Sequence, residues 1–491
     1  MDTLILGAGP CGLGAATRLK QRGETSWLVV DKADGPGGLS SSFTTKEGFV
    51  VDRGGHVIFS FFKYFDDLIQ KSIGSCYDNE QYWATHVRKS YVMTREEDEA
   101  KVYKVPYPFQ HNIGGLSTKT MEKCLQGILH RDQSRDPENF LEWIKYNFGE
   151  GIASSFMIPY NEKVWAHKLE TMSKDWIANR VAKVDAYSVV KNVLEYTPNE
   201  KWGPNKVFHF PQRGGTGAIY EGVAKLLPLS KQRYGETVVK IDKKKKEVHL
   251  TKLEQDHDGD GSRPKSTNSI IKYKNLISTI PLDVLMDMVG LQPDFSILRH
   301  SSTHVVFFGF EGTNPNSKES CWSYFPDRDV PFYRATVLSN YGKYNVPNPS
   351  KHFSLMLEVS ESSCSPLKLS NEDLVVTCLK ACVKMGLVTK NSRVVSTYHE
   401  KFEYGYPTPT LGLEEYVYKV LSKLKESGIY SRGRFGAYLY QVSNQDHSVM
   451  QGVQAVDNLF MGTPETVLHC PDYINSMYNT DYVFGRQFVN S

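Results

Sequence analysis

The chain opens on a short apolar run, Thr3-Leu4-Ile5-Leu6, which breaks at Gly7-Ala8-Gly9-Pro10-Cys11-Gly12. The next stretch, Ala15-Ala16-Thr17-Arg18-Leu19-Lys20, predicts a helix, and a second apolar run, Trp27-Leu28-Val29-Val30, ends in Asp31. Strand, glycine turn, helix, strand and acid follow in phase, which is the order of a dinucleotide-binding unit. Gly7 permits the tight turn, Gly9 lets the backbone approach a pyrophosphate, and Gly12 lets the helix pack close to the strand. The helix N-terminus then faces the phosphates, and Asp31 is placed to accept a ribose hydroxyl.

A second loop dense in glycine and hydroxyls, Gly35-Pro36-Gly37-Gly38-Leu39-Ser40-Ser41-Ser42, follows at once. An apolar strand over 48–53 then ends at Gly54-Gly55-His56. Residues 57–85 mix aromatic and polar side chains without a clear period, and 95–99 form a charged loop expected to be solvated. From 117 to 199 the pattern is mostly helical; Phe140, Trp143, Ile144 and Phe148 share one helical face. Strand signals resume at 207–210 and at Val238, before the lysine run 243–246, read as a solvated strand end. Residues 251–269 read as a flexible loop. Runs 305–310, 332–340 and 353–359 predict one antiparallel sheet. Helices are expected over 371–385 and 413–427, a last core strand over 459–462, and an aromatic-rich helix at the end.

Composition narrows the function classes. Of 491 residues, 58 are Lys or Arg and 55 Asp or Glu, a net charge of +3, which gives no sign of a nucleic-acid or membrane-surface partner. No apolar run reaches the ~18 residues that a spanning helix needs. The eight cysteines include no Cys-x-x-Cys pair, so neither a disulfide framework nor a zinc site is expected, and a cytoplasmic setting follows. Asp256-His257-Asp258-Gly259-Asp260-Gly261 mimics half an EF-hand, but Thr267 stands where its closing Glu belongs. His300 and His304 have no Glu between them. No metal is expected. Tyrosine is abundant at 28 residues, which suits a polar pocket as well as a core.

Two glycine loops within fifty residues exceed what a nicotinamide site needs. They resemble the glutathione-reductase-type FAD fold of amine oxidases and their relatives. Five further strings, Gly54-Gly55-His56-Val57-Ile58-Phe59-Ser60, Tyr160-Asn161-Glu162-Lys163-Val164-Trp165-Ala166, Ala178-Asn179-Arg180-Val181, Pro331-Phe332-Tyr333-Arg334 and Asn444-Gln445-Asp446-His447-Ser448, together resemble the eukaryotic UDP-galactopyranose mutases. The fold class so implied is mixed α/β: a Rossmann-like FAD-binding domain (1–85, 203–245, 270–290 and 430–491), a mainly helical domain (86–202) and an antiparallel sheet domain for substrate (291–429).

That resemblance also implies site residues. The cofactor would be held by Gly7, Gly9, Gly12, Asp31, Gly38, Leu39 and Ser40, by Gly54, Gly55 and His56, and by Val238, Arg434, Asn444, Gln445 and Ser448. Arg180 and Arg334 match diphosphate-binding arginines, whose planar guanidiniums suit two negative charges. Tyr324, Tyr406 and Tyr440 match tyrosines that donate hydroxyls to the same phosphates. Tyr107 and Gln110 resemble uracil contacts, and Phe59, Trp165, Asn205, Trp322, Tyr341 and Asn444 match other pocket positions. His56, Arg180 and Arg334 are the implied catalytic residues, and Arg88 is placed near flavin or substrate. Two positions depart from the family: Phe61 where relatives often carry His, and Ser443 where Gly is common.

The implied reaction interconverts UDP-galactopyranose and UDP-galactofuranose. Reduced flavin N5 attacks the sugar C1, UDP leaves and returns, and the sugar is not oxidised overall. FAD is the cofactor and NADPH the expected reductant, with a monomer favoured over a homo-oligomer. The alternatives are an FAD amine-oxidase-type oxidoreductase and a flavin-free escort protein on the same fold.

Overall fold

The computed structural model describes residues 1–96, 101–177, 180–195, 203–253, 266–315 and 319–476. Thr3–Leu6 forms the first strand (β1), Pro10–Gln21 the first helix (α1) and Trp27–Val30 the second strand (β2). β1 lies between β2 and Asn275–Ser278, in a five-stranded sheet completed by Ile429–Ser431 and Gln232–Arg233 at the edges. Every pairing in it is parallel. β1 and β2 are buried throughout, as their unbroken apolar runs require of a sheet covered on both faces. The sheet grows from β1 to β2 on one side and to Asn275–Ser278 on the other, and this switch in strand order opens a crevice at the C-terminal end of β1, where the glycine turn sits.

α1 packs on the helix Gln445–Met461, and the two approach closely enough that a Cβ on Gly452 would lie 2.0 Å from the Cys11 carbonyl. Arg18 of α1 bonds Asp457 of that helix at 2.7 Å, with both side chains buried. The nucleotide unit is thus closed by the far end of the chain.

The second large sheet has seven strands in the order Arg393–Pro407, His300–Glu311, His352–Glu361, Arg334–Thr336, Trp322–Tyr324, Ser90–Arg95 and Val102–Pro106. Along His300–Glu311, Val306, Phe308 and Phe310 enter one core with the helix Asn371–Lys384, whereas Val305 and Phe307 enter another with Phe49 and Phe208. A period of two distributes one continuous apolar run between two cores. Helices Thr118–Leu129, Phe140–Ile152, Ile158–Trp165 and Ala186–Glu195 form a third unit with its own core.

Several expectations are corrected. The runs at 305–310, 332–340 and 353–359 do meet antiparallel in one sheet, but the sheet as a whole is mixed, because Trp322–Tyr324 runs parallel to Ser90–Arg95. The run at 332–340 is strand only over Arg334–Thr336, and a 3-10 turn follows at Leu338–Asn340. Residues 459–461 end the helix Gln445–Met461 rather than form a core strand; Phe460 is 37% and Met461 48% exposed, and a short apolar run cannot reveal that half of it faces solvent. A helix at Lys63–Ile73 lies within 57–85, its buried Tyr64, Phe65, Leu68 and Ile69 at helical spacing. Of the loop expected at 251–269, the outer parts belong to strands Glu247–Leu253 and Ser266–Lys272, with Thr267 in the second; 254–265, which holds most of the half EF-hand, lies outside the described residues. So do Glu97, Asp98, Glu99, Ala178, Asn179 and 477–491 of the expected last helix, whose described part is Pro471–Ser476. The lysine run is the exposed turn between Glu236–Asp242 and Glu247–Leu253, with Asp242 accepting from the Lys244 and Lys245 amides. No helix among the described residues is long and apolar enough to cross a membrane.

Candidate active site

At the end of β1 the two glycine loops lie backbone to backbone. The Gly37 N–H donates to the Ala8 carbonyl at 2.9 Å, and Gly38 and Gly9 approach so closely that a Cβ on Gly38 would lie 3.2 Å from the Gly9 Cα. A Cβ on Gly12 would fall 1.8 Å from the Gly7 carbonyl oxygen, so only glycine lets α1 start here. Asp31 spends one carboxylate oxygen on the Ala8 amide (2.6 Å) and the other on the Ala33 amide (2.8 Å). It props the glycine turn and keeps lone pairs for a hydroxyl. Glu236 donates its amide to the Asp31 carbonyl, and Val238 stands two residues further along that strand. Leu39 packs between two cores, and Ser40 is buried beside them.

The N-terminus of Gln445–Met461 faces the same region. Asn444 is its cap residue, the Ser448 amide donates to the Asn444 carbonyl, and the Gln445 side chain accepts from the Tyr220 hydroxyl at 2.7 Å. Both departures have a local account. Ser443 adds a hydroxyl that accepts from Arg434 (2.9 Å) and donates to the Tyr440 carbonyl (2.9 Å), bonds a glycine cannot make. Phe61 stacks on His447, ring centroids 5.6 Å apart, where a second histidine would place two imidazoles face to face. Arg434 also binds the Gly405 carbonyl through two nitrogens and lies 4.8 Å over the Tyr406 ring.

Arg334 forms a two-pronged pair with Glu358, which is 2% exposed and also accepts from the Tyr333 hydroxyl at 3.2 Å. Gly55 lies flat against this guanidinium; a Cβ there would fall 2.8 Å from Arg334 Nη2. The turn that carries His56 is therefore moulded on the arginine. Arg180 lies 5.3 Å over the Tyr440 ring, with Nη2 donating to the Gln441 carbonyl (2.7 Å) and to Asn475 Oδ1 (3.2 Å).

Aromatic side chains connect these groups. Tyr324 lies 5.1 Å from Tyr107, 5.2 Å from Tyr160 and 6.4 Å from Trp322. Trp165 meets Tyr440 at 4.9 Å and Tyr406 at 6.0 Å. Arg88 lies over Tyr107 at 5.2 Å and donates to Asn205 Oδ1 at 2.5 Å. Other candidates stand further back. Tyr341 is packed among Phe208, Phe210 and His86, and Phe59 packs on the nucleotide core beside Phe61. A cavity of about 360 Å³ opens beside Gln441, lined by Trp176, Leu413, Glu414 and Leu439, and holds none of the residues named from sequence.

Burial sets the protonation states. It raises the hydroxyls of Tyr107, Tyr160, Tyr324 and Tyr406 above the ordinary tyrosine range, so they are neutral donors. Burial also pulls His56 down to about 4, Glu358 opposing and Arg334 assisting, so the imidazole is neutral near pH 7. Burial would raise Glu358, but the Arg334 guanidinium beside it prevails and holds the carboxyl below its usual range.

The site has the marks of a place made for a large polar ligand. His56 Nδ1, Arg180 Nε, Gln110 Oε1, Trp165 Nε1 and Trp322 Nε1 are buried without a hydrogen-bond partner in the chain. Buried polar atoms rarely stay unpaired, and three of these, on His56 beside Arg334 and on Arg180 and Trp165 beside Tyr440, point to an occupant. The glycine turn, Asp31 and two helix N-termini suit a dinucleotide, so the residues present fit FAD. Sequence reasoning missed Glu358, Tyr160 as a ring of the enclosure, and Asn475. Glu358 carries no motif and is found only through the strand pairing that sets it opposite Arg334.

Comparison with known proteins agrees with this geometry. A family model described as flavin containing amine oxidoreductase matches residues 10–458. The chain is similar to reduced UDP-galactopyranose mutase, at a TM-score of 0.87 and 40% identity over 97% of this chain and 98% of that one. It shares its fold with a putative protoporphyrinogen oxidase from Exiguobacterium sp. 255-15, at a TM-score of 0.68 and 16% identity over 94% of this chain and 99% of that one. A putrescine oxidase bound to putrescine matches at 0.60 and 15%, over 93% and 98%. With a family match across most of its length and an FAD-binding, amine-oxidase-type fold, the chain belongs to the flavin-containing amine oxidoreductases.

Proposed function

We propose that the protein is a UDP-galactopyranose mutase of the eukaryotic type, acting in the cytoplasm with FAD kept reduced by NADPH. The observation that carries the reading is the convergence of Arg180 and Arg334 with neutral tyrosine donors on one aromatic enclosure beside the glycine turn. Guanidiniums and phenol donors complement a diphosphate, and the guanidinium charges repel a protonated amine, which weighs against the amine-oxidase alternative. The glycine turn and Asp31 weigh against a flavin-free escort.

When bound and reduced, the flavin supplies the nucleophile for the sugar's anomeric carbon and is not consumed. The chain's own part is to hold UDP while it is detached. Arg180 and Arg334 balance its two charges, and Tyr324, Tyr406 and Tyr440 supply hydroxyl donors. Holding UDP within reach replaces a bimolecular return by an intramolecular one. Trp165, Trp322 and Tyr107 exclude water that would otherwise compete for the open position. His56, neutral and with Nδ1 unpaired, can hold a proton at that atom next to the Arg334–Glu358 pair.

The test is anaerobic. Flavin-loaded enzyme is given UDP-galactofuranose and a limiting amount of NADPH, and the sugar isomerised is counted per NADPH consumed. Many turnovers per reductant are expected, with none by oxidised enzyme. A ratio near one would make the reaction an ordinary oxidation or reduction and would falsify this reading.

A further inference from the structure

Helix Ile158–Trp165 supplies Tyr160 and Trp165 to the aromatic enclosure, and between them stands Lys163. The Lys163 ammonium donates to the backbone carbonyls of Phe325 (2.7 Å), Asp327 (3.0 Å) and Phe332 (2.8 Å). These carbonyls belong to both limbs of the loop that joins Trp322–Tyr324 to Arg334–Thr336. Phe325 directly follows Tyr324, and Phe332 precedes Arg334 by two residues. An ammonium has three N–H groups, and here each has an acceptor. One cation thus ties together the two limbs from which Tyr324 and Arg334 spring.

The loop's outer side is held differently. Arg95 pairs with Asp327 (3.2 Å) and Asp329 (2.5 Å), Lys384 pairs with Asp329, and Arg328 pairs with Glu162 (3.0 Å). Asp329 is half exposed and Arg328 mostly exposed, so their bonds compete with water and salt and contribute little, whereas the Arg95–Asp327 pair is mostly buried and anchors one limb alone. The Lys163 bonds are inward and charge-assisted, the stronger kind. Bringing an amine out of water to bind carbonyls is costly, and a surface loop that only needed closing would not require it. Burial also lowers the Lys163 amine to about 7, opposed by Asp327 and Asp329. From the far side Glu358 fixes the Arg334 guanidinium itself. The arginine's backbone and its charged head are therefore held by two different elements.

We propose that Lys163 is a positioning residue: through the loop 325–332 it sets Tyr324 and Arg334 for the substrate's diphosphate, without touching the ligand. The proposal rests on the UDP-sugar reading above. It assigns a role in affinity to a lysine whose three N–H groups are all taken by backbone carbonyls.

The experiment uses the flavin-loaded full chain. Lys163→Met keeps the stem and removes the donors. It should retain flavin, raise the dissociation constant for UDP about tenfold, and lower kcat/KM in proportion. The decisive measurement is a double-mutant cycle with Arg334→Ala. The cycle is run in an Arg334→Ala background that also carries Tyr324→Phe; if Lys163 acts through these two residues, Lys163→Met should change UDP affinity there by less than about twofold. A merely structural lysine would weaken binding equally in both backgrounds, and that additivity overturns the proposal, as does unchanged UDP affinity in Lys163→Met. If the Met variant does not fold, Lys163→Gln, which keeps two donors without the charge, is put through the same cycle. A wild-type enzyme that binds no UDP at all is a different failure, because it removes the UDP-sugar reading first and this proposal with it.

Discussion

Single residues in this protein are legible in unequal measure, and the difference lies in how they are held. Glycines that a motif spaces at fixed intervals announce their steric reason; Gly12 is one, since any side chain would collide with the Gly7 carbonyl. An arginine's ligand is also foreseeable from its geometry, but its counter-ion is not. Glu358 lies 24 residues beyond Arg334 and meets it only because their strands pair. This makes the two arginines unequal under mutation. Arg334→Ala leaves a buried carboxylate without its cation, a loss on the order of 3–5 kcal/mol in stability, whereas Arg180→Ala strands only a carbonyl and an amide oxygen. Either change should weaken UDP binding by about tenfold to a hundredfold, but only Arg334→Ala should also lower the melting temperature markedly. Titration calorimetry with UDP alongside thermal unfolding separates the two effects. Equal melting temperatures would deny the Glu358 pair its structural weight. Arg334→Lys should recover part of the stability and little of the affinity, since the fork is lost.

At the scale of elements, short apolar runs bounded by glycine, such as Thr3–Leu6, and helices with repeated apolar faces are readable, whereas a short apolar run at the end of a longer helix is not. Leu459-Phe460-Met461 has the composition of a core strand and the position of a helix end; only the preceding residues from Gln445, read as one helix, resolve it. The helix Lys63–Ile73 was hidden because its face begins within the cluster Phe61, Phe62, Tyr64 and Phe65, which blurs the period. The mixed direction of the large sheet depends on a strand arriving from residue 90, a long-range pairing that no local pattern encodes. Elements are also cross-linked by charge. Glu361, at the end of its strand, meets His304 (3.1 Å) of one neighbour and Lys401 (2.6 Å) of a third strand. Burial would raise this carboxyl, but Lys401, the Leu367 amide and His304 outweigh it and hold it at about 2. A carboxyl depressed from about 4.5 stabilises the fold fully above that pH and loses the contribution as pH falls through about 2. Glu361→Gln should therefore be less stable than wild type at pH 6, with the gap closing as pH falls towards 3. Urea midpoints over that range check this, and a gap that stays constant with pH refutes it.

The molecule as a whole is tied through its ends. Arg18 and Asp457 are separated by 439 positions yet form a buried bond between α1 and Gln445–Met461. Asp457→Ala should cost on the order of 3–5 kcal/mol by removing the carboxylate that the buried Arg18 guanidinium is bonded to. The replacement of both partners, Arg18→Met with Asp457→Leu, should recover most of that loss. Denaturant unfolding of the wild type and the two variants tests this, and a double variant as weak as the single one would mean that the charges themselves are needed. The same closure has a consequence in time. The strand that begins the nucleotide site is finished within the first six residues, but the helix against which α1 rests is complete only after Met461. At roughly 5–20 residues per second, a ribosome needs on the order of half a minute or more between those two moments. During that interval the opening segment exists with its binding turn unsupported. Loading of the cofactor thus belongs after synthesis of Gln445–Met461, because only then does the turn rest on its partner helix.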